Sequence, residues 1–177
     1  GQTEYSPIIS ITPFKNIKLD KVGKAIHLTE IKLSQDKEIL VRGKSLMQGY
    51  WKDKKSTDKT IINGWLHTGD LGLFDDENYL KILGRKNEMI VNSGGENIAP
   101  GPLEDLFLYY DEIDQIMIYG HEKPYLVALV YPSEEIKENK KLVRKIFDEV
   151  NNNLSLTKKI RKFSIIEEAF SIENSQL

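Results

Sequence analysis

Residues 65–83 read WLHTGDLGLFDDENYLKIL, and they decide how the first half of the chain folds. Two runs rich in apolar residues, 65–74 and 79–83, flank the polar residues 75–78. Asp and Asn tolerate the left-handed backbone that a tight turn needs, so this stretch predicts a β-hairpin. Upstream, β-branched or alternating residues with turn residues between them predict further strands at 8–11, 26–33 and 38–42.

The second half of the chain has a mixed pattern. A helix is expected from about Pro102 to Tyr110, because proline favours the first turn of a helix. Ser133 is a candidate N-cap for a second helix, which carries an apolar stripe at helical spacing. Apolar and β-branched runs predict strands at 116–119, 125–131 and 163–166.

The composition changes at residues 84–90, and we predict two modules on either side of this point. The predicted fold class is α+β: a small β-rich subdomain at 1–84, a connecting segment at 85–90 and a compact α+β domain at 91–177. The α+β domain is expected to hold a central sheet of about three strands with flanking helices. On local composition alone, a linker and an ordinary strand-to-strand turn explain residues 84–88 equally well.

Bulk composition excludes several classes of function. The 177 residues include 25 Lys and Arg against 27 Asp and Glu, so no basic field favours nucleic acid as a partner. There is no cysteine, which excludes disulfides, thiol catalysis and Cys-based zinc sites. No apolar run approaches the roughly 20 residues that a membrane span needs. The expected compartment is the cytoplasm.

Two motifs could bind a nucleotide, one near the start of the chain and one in the predicted hairpin. Thr3 and Glu4 place a hydroxyl beside a carboxylate, which suits a phosphate and a magnesium ion, although an exposed turn is the simpler explanation. Asp70 lies between Gly69 and Gly72, and one carboxylate can accept hydrogen bonds from two ribose hydroxyls. The alternative for Asp70 is a turn residue that bonds its own backbone.

Two further motifs lie at and after the composition change. The guanidinium of Arg85 could clamp a ribose or phosphate oxygen with its fork of donors, or it could be an ordinary surface arginine. Gly94 and Gly95 form a loop that could let a ligand pass close to the backbone or donate N–H groups to an anion. The loop lacks the spacing of a dinucleotide fingerprint, and a tight turn explains it more simply.

Taken in order, five blocks of this sequence resemble the adenylate-forming superfamily of acyl-CoA synthetases, nonribosomal peptide adenylation domains and firefly-type luciferases. The blocks are residues 38–43, 47–51, 64–70, 84–86 and 93–98. Residues 120–132 and 170–177 are similar to the long-chain fatty-acid–CoA ligases within that superfamily.

The resemblance implies a two-step ligase reaction with ATP, Mg²⁺ and coenzyme A. A carboxylate attacks ATP to give acyl-AMP and pyrophosphate, and CoA then gives acyl-CoA and AMP. Residues 1–84 would end a large AMP-binding domain with a distorted barrel-like subdomain, and 91–177 would be a mobile C-terminal domain. The resemblance also implies roles for single residues. Thr3 would contact a phosphate, Glu4 would bind magnesium, Asp70 would bind the ribose, and Arg85 would contact the ribose or a phosphate. Asn87 would be the hinge, and Gly94, Gly95 and Glu96 would line the path of the pantetheine arm.

The resemblance also implies that the chain is the C-terminal portion of a larger enzyme. The phosphate-binding loop would precede Gly1, and the catalytic lysine would follow Leu177, so no catalytic residue is expected within these residues and the isolated chain should be inactive. The family usually has Asp or Lys at the hinge, where this chain has Asn87. The implied partners are small molecules, with possible peripheral membrane contact of the whole enzyme. Loading of a carrier protein, or a non-catalytic binding module, is the alternative.

Overall fold

The computed structural model describes residues 1–137 and 139–171, and it divides into two compact units. The first unit is Gly1–Asn87 and the second is Glu88–Leu177. The boundary falls within residues 85–90, where a short 3-10 turn, Lys86–Glu88, follows the last strand of the first unit.

The first unit is built mainly of antiparallel strands. Its elements are β1 (Ser10–Ile11), β2 (Lys24–Ala25), β3 (Thr29–Leu33), β4 (Glu38–Gly43), α1 (Lys54–Thr60), β5 (Ile61–Ile62), β6 (Trp65–Phe74) and β7 (Leu80–Arg85). Strands β3, β4, β6 and β5 lie in that order in one sheet, and β7 pairs with β6. The predicted hairpin is thus the β6–β7 pair, and its turn contains Asn78 at a φ of 61°.

A buried tyrosine joins the start of the chain to this sheet. Tyr5 is fully buried, and its hydroxyl donates to Thr29 Oγ1 at 3.0 Å. Gly43 leaves room for it, because a Cβ at that position would lie 2.1 Å from the Tyr5 hydroxyl oxygen. The turn that carries Thr3 and Glu4 is therefore fixed to the sheet by packing.

The second unit has the predicted α+β composition. Its elements are β8 (Ile90–Val91), β9 (Asn97–Ile98), α2 (Gly101–Leu108), β10 (Ile113–Tyr119), β11 (Leu126–Pro132), α3 (Lys140–Asn152) and β12 (Ile160–Ile165). The central sheet has three strands in the order β10-β11-β12. Strand β11 is antiparallel to β10 and parallel to β12. Phe107 of α2 and Phe147 of α3 meet in the core with ring centroids 4.5 Å apart.

Helix α3 starts later than the sequence predicts, and helix α1 was not predicted. Ser133 makes no side-chain cap bond, and only a 3-10 turn, Glu134–Ile136, follows it. The true N-cap of α3 is Asn139, whose side chain accepts a hydrogen bond from the backbone N–H of Leu142. Helix α1 was not predicted, because it has no buried residue and therefore no apolar stripe.

The Asn139 cap should contribute measurably to stability. We expect Asn139→Ala to lower the free energy of unfolding by about 1 kcal/mol, because one N–H at the start of α3 loses its acceptor. Urea denaturation measures the change. Asn152→Ala is the matched control: it lies exposed at the other end of α3, where alanine is the better helix former. Equal destabilisation by both substitutions would contradict the capping role.

The helices are short in the part of the chain that the structure describes. Helix α3 has 13 residues, α2 has eight and α1 has seven. None of these helices is long and apolar enough to cross a membrane.

Candidate functional site

One cleft in the first unit is lined by polar residues that could bind a ligand. Its volume of about 450 Å³ lies within the range of small-molecule sites. Glu4, Arg85 and Asn87, three of the residues singled out in the sequence, line it. The remaining lining residues are Gln2, Glu38, Tyr50, Lys59, Thr60, His67, Thr68, Gly69 and Lys86.

Asp70 is held by two residues that line this cleft. Its Oδ1 accepts from Arg85 Nη1 at 2.9 Å, and its Oδ2 accepts from Gln2 Nε2 at 2.7 Å. The β6–β7 pairing places Arg85 directly opposite Asp70. Asp70 lies within strand β6, and its carboxylate bonds other side chains, in contrast to a turn aspartate that bonds its own backbone.

The Asp70 carboxylate can still accept hydrogen bonds from a ligand. An ionised carboxylate has about four lone-pair positions, and the two protein donors use one on each oxygen. Its side chain is 17% exposed. The geometry therefore allows a pair of adjacent hydroxyls to bind one carboxylate whose orientation is already fixed.

Glu4 faces the same cleft from the 3-10 turn Thr3–Tyr5. Its Oε1 accepts from the Tyr50 hydroxyl at 2.8 Å, and this bond raises the pKa of Tyr50. Thr3 is exposed and is not among the residues that line the cleft. Within residues 1–137 and 139–171, no group of three or more His, Cys, Asp or Glu side chains could hold a metal.

Glu38 is a second carboxylate at the cleft. It accepts from the backbone N–H of Gly69 at 3.1 Å and from Lys86 Nζ at 3.2 Å, and it lies 3.3 Å from His67 Nδ1. Burial acts to raise the pKa of Glu38, but the hydrogen bonds from Gly69, Lys86 and His67 together outweigh it and lower this pKa. No local sequence pattern singles out Glu38, because it begins an apolar strand and the partners of its carboxylate lie 29 or more positions away.

The loop of the second unit is a tight turn between β8 and β9. Asn92 Oδ1 accepts from the N–H groups of Gly94 and Glu96, and Asn92 O accepts from that of Gly95. Because these three donors are used inside the loop, they are not available to an anion. Both glycines are exposed, and Gly95 has a φ of 78°. The Glu96 carboxylate accepts from Thr157 Oγ1 at 3.1 Å.

Comparison with known proteins identifies relatives of both units. The family model described as the AMP-binding enzyme C-terminal domain matches residues 87–172. The long-chain-fatty-acid–CoA ligase FadD15 of Mycobacterium bovis is 38% identical over 130 residues, which are 73% of this chain and 22% of that protein. The 2-succinylbenzoate–CoA ligase of Listeria monocytogenes serotype 4b is 37% identical over 122 residues, 68% of this chain and 26% of that protein.

The chain spans about a quarter of the length of these curated relatives. Among solved structures, the O-succinylbenzoate coenzyme A synthetase MenE of Bacillus subtilis in complex with AMP aligns with a TM-score of 0.78 and 28% identity. That alignment covers 95% of this chain and 36% of the synthetase. The chain belongs to the adenylate-forming, AMP-binding enzymes, and residues 87–172 match their C-terminal domain.

Proposed function

We propose that the chain is part of an acyl-CoA ligase that activates a carboxylic acid with ATP and transfers it to coenzyme A. One observation carries the proposal. The Asp70 carboxylate is oriented by Gln2 and Arg85 beside a polar cleft and keeps acceptor positions for the two hydroxyls of a ribose. The relatives named above support the ligase class.

In this proposal the residues of the first unit bind and orient the nucleotide. Asp70 accepts hydrogen bonds from both ribose hydroxyls, and Arg85 adds a contact to the ribose or a phosphate. Thr3 contacts a phosphate from the edge of the cleft. Glu4 would hold Mg²⁺, which would neutralise charge on the phosphates. None of these groups is a nucleophile, because the attack of a carboxylate on a phosphate is accelerated mainly by positioning and charge stabilisation.

The second unit serves the transfer to coenzyme A in this proposal. We place the hinge of a mobile C-terminal domain, residues 91–177, within 85–90 and at Asn87. The pantetheine arm would pass along the exposed Gly94 and Gly95, with Glu96 at its side. The catalytic lysine is expected after Leu177, and residues 172–177 lie outside the described part of the chain.

We propose a long-chain fatty acid as the substrate. The similarity of this chain to FadD15, whose name specifies that class, favours it. The similarity to a 2-succinylbenzoate–CoA ligase is nearly as high, so an aromatic acid is the competing substrate. Of the two sequence signals for the long-chain group, residues 120–132 are described, and 170–177 lie mostly outside the described residues. We also propose that the complete enzyme is cytoplasmic, with peripheral contact to a membrane.

The substrate proposal can be tested on the complete enzyme. We expect pyrophosphate exchange and CoA thioester formation with palmitate to exceed those with 2-succinylbenzoate by at least about tenfold in kcat/KM, since a difference of 1.4 kcal/mol in transition-state binding suffices. A carrier-protein pantetheine offered in place of CoA tests the alternative acceptor.

The isolated chain is the matched comparison, and we expect it to show no exchange. Strong pyrophosphate exchange by the isolated chain would contradict the proposal that adenylation needs residues outside it. Absence of exchange by the complete enzyme with every acid would favour a non-catalytic binding module.

A further inference from the structure

The Glu38 carboxylate has no role in the proposed reaction, although its side chain is only 8% exposed and it lies in the wall of the cleft. Its bonds reach Gly69, the neighbour of Asp70, and Lys86, the neighbour of both Arg85 and Asn87. We propose that Glu38 is a positioning residue that fixes the Asp70 segment and the start of the hinge to the same point of strand β4. This inference rests on the proposed function for the roles of Asp70 and Asn87.

The first contact holds an irregular part of strand β6. Glu38 pairs with Leu71 and Leu40 pairs with His67, so residues 68–70 lie opposite Ile39 alone. Extra residues of this kind form a bulge, which re-aims side chains next to functional sites. Gly69 has a φ of 72°, and its N–H donates to Glu38 in place of a backbone acceptor on the neighbouring strand.

Thr68 completes the support of this bulge. Its hydroxyl donates to the backbone carbonyl of Ile39 at 2.7 Å and accepts from the Asp70 N–H at 3.1 Å. The backbone N–H groups of Gly69 and of Asp70 itself are thus both held by side chains, one of which is the buried Glu38. Loss of either side chain leaves a backbone N–H of the bulge without its acceptor, which is costly in a shielded position.

The second contact fixes the residue directly before Asn87. Lys86 Nζ lies 3.2 Å from Glu38 Oε2 and 2.5 Å from Asp36 Oδ2. The ion pair with Lys86, helped by a hydrogen bond from Ser34, lowers the pKa of Asp36 to about 2, so both carboxylates are charged at neutral pH. We call these two ion pairs the Lys86 tether. With Lys86 held, a rotation at the hinge is confined to the residues that follow it.

Substitutions can separate the two contacts. Glu38→Ala removes both the acceptor for Gly69 and one arm of the tether. Glu38→Gln keeps a carbonyl oxygen for Gly69 but loses the charge that attracts Lys86. Lys86→Met removes only the tether, and Lys86→Arg restores its charge. Lys81→Met is the matched control, because Lys81 lies on strand β7, which leads into Lys86, and its ion pair is with the exposed Asp20, which does not line the cleft.

Amide hydrogen exchange on the complete enzyme gives a readout that does not depend on activity. We expect Glu38→Gln and Lys86→Met to raise exchange at residues 86–88 about tenfold, since a hydrogen bond to a charged group is lost. Glu38→Ala should also raise exchange at Gly69 and Asp70. Lys86→Arg and Lys81→Met should resemble the wild type. Unchanged exchange at 86–88 in both tether variants would overturn the tether, even if one Glu38 variant failed to fold.

Kinetics then separate positioning from stability alone. We expect Glu38→Ala to raise KM for ATP about tenfold, because the orientation of Asp70 is lost, whereas a lower folded fraction would reduce only the apparent kcat. Raised exchange with an unchanged KM would overturn the positioning role. A wild-type enzyme that does not use ATP would contradict the proposed function, while the exchange experiment would still decide whether the tether exists.

Discussion

Replacing Asp70 by alanine should lower kcat/KM for ATP in the complete enzyme by at least about 100-fold. Asp70 is proposed to bind two ribose hydroxyls, and a hydrogen bond to a charged group contributes roughly 1.5–3 kcal/mol. Two such bonds amount to several kcal/mol, and each 1.36 kcal/mol corresponds to a tenfold change in rate. Pyrophosphate exchange at varied ATP concentrations measures the effect.

The fold should tolerate this substitution. Asp70 gives up its bonds to Gln2 and to Arg85, but the Arg85 side chain is 54% exposed and can be solvated. Exposed ion pairs contribute little, so the melting temperature should change little. Asp58→Ala, an exposed aspartate on α1, is the control for the loss of a surface charge. If kcat/KM stayed within twofold of the wild type, Asp70 would not bind the nucleotide.

Replacing Asn87 by proline should slow thioester formation at least about tenfold more than adenylation in the complete enzyme. Asn87 lies in the middle of the 3-10 turn Lys86–Glu88, where φ is about −50 to −70°. Proline fixes φ near −65°, so it removes the other backbone angles that a pivot at this residue would use. An enzyme locked after the first step should complete adenylation and stall before transfer to coenzyme A.

Single-turnover assays of the two half-reactions decide this prediction. Asn87→Ala is the matched control, because it removes the same side chain and leaves φ free. We expect it to support both steps at rates close to the wild type. Equal slowing of both half-reactions by proline, or no slowing at all, would place the pivot at another residue.

The sequence predicted the elements whose pattern is local. The β6–β7 hairpin and the three-stranded sheet with its two helices follow from runs of apolar residues and turn residues, and the structure confirms them. Helix α1 was missed because nothing on it is buried. The predicted start of α3 lay too early in the chain, because serine and asparagine are both favourable N-cap residues. Only the three-dimensional structure shows that Asn139, and not Ser133, caps the helix.

The candidate site was likewise predicted only in part. Glu4, Asp70 and Arg85 could be proposed from the sequence, because a carboxylate or guanidinium beside a glycine or hydroxyl has recognisable chemistry. Glu38 and Lys86 could not, since their importance depends on the bulge opposite Ile39 and on strand pairing between distant parts of the chain. No single-sequence pattern specifies that register.

The parallel pairing of β11 with β12 affects the order in which the two units can fold during translation. All strands of the first unit have been synthesised once the chain reaches Arg85. The second sheet, by contrast, needs its last strand, Ile160–Ile165, beside a strand made some thirty positions earlier. Since folding proceeds from the N-terminus during synthesis, the strands of the first unit can pair while β11 still exposes one edge. That interval, ending when Ile165 emerges, is when we expect the nascent chain to be most prone to misassociation.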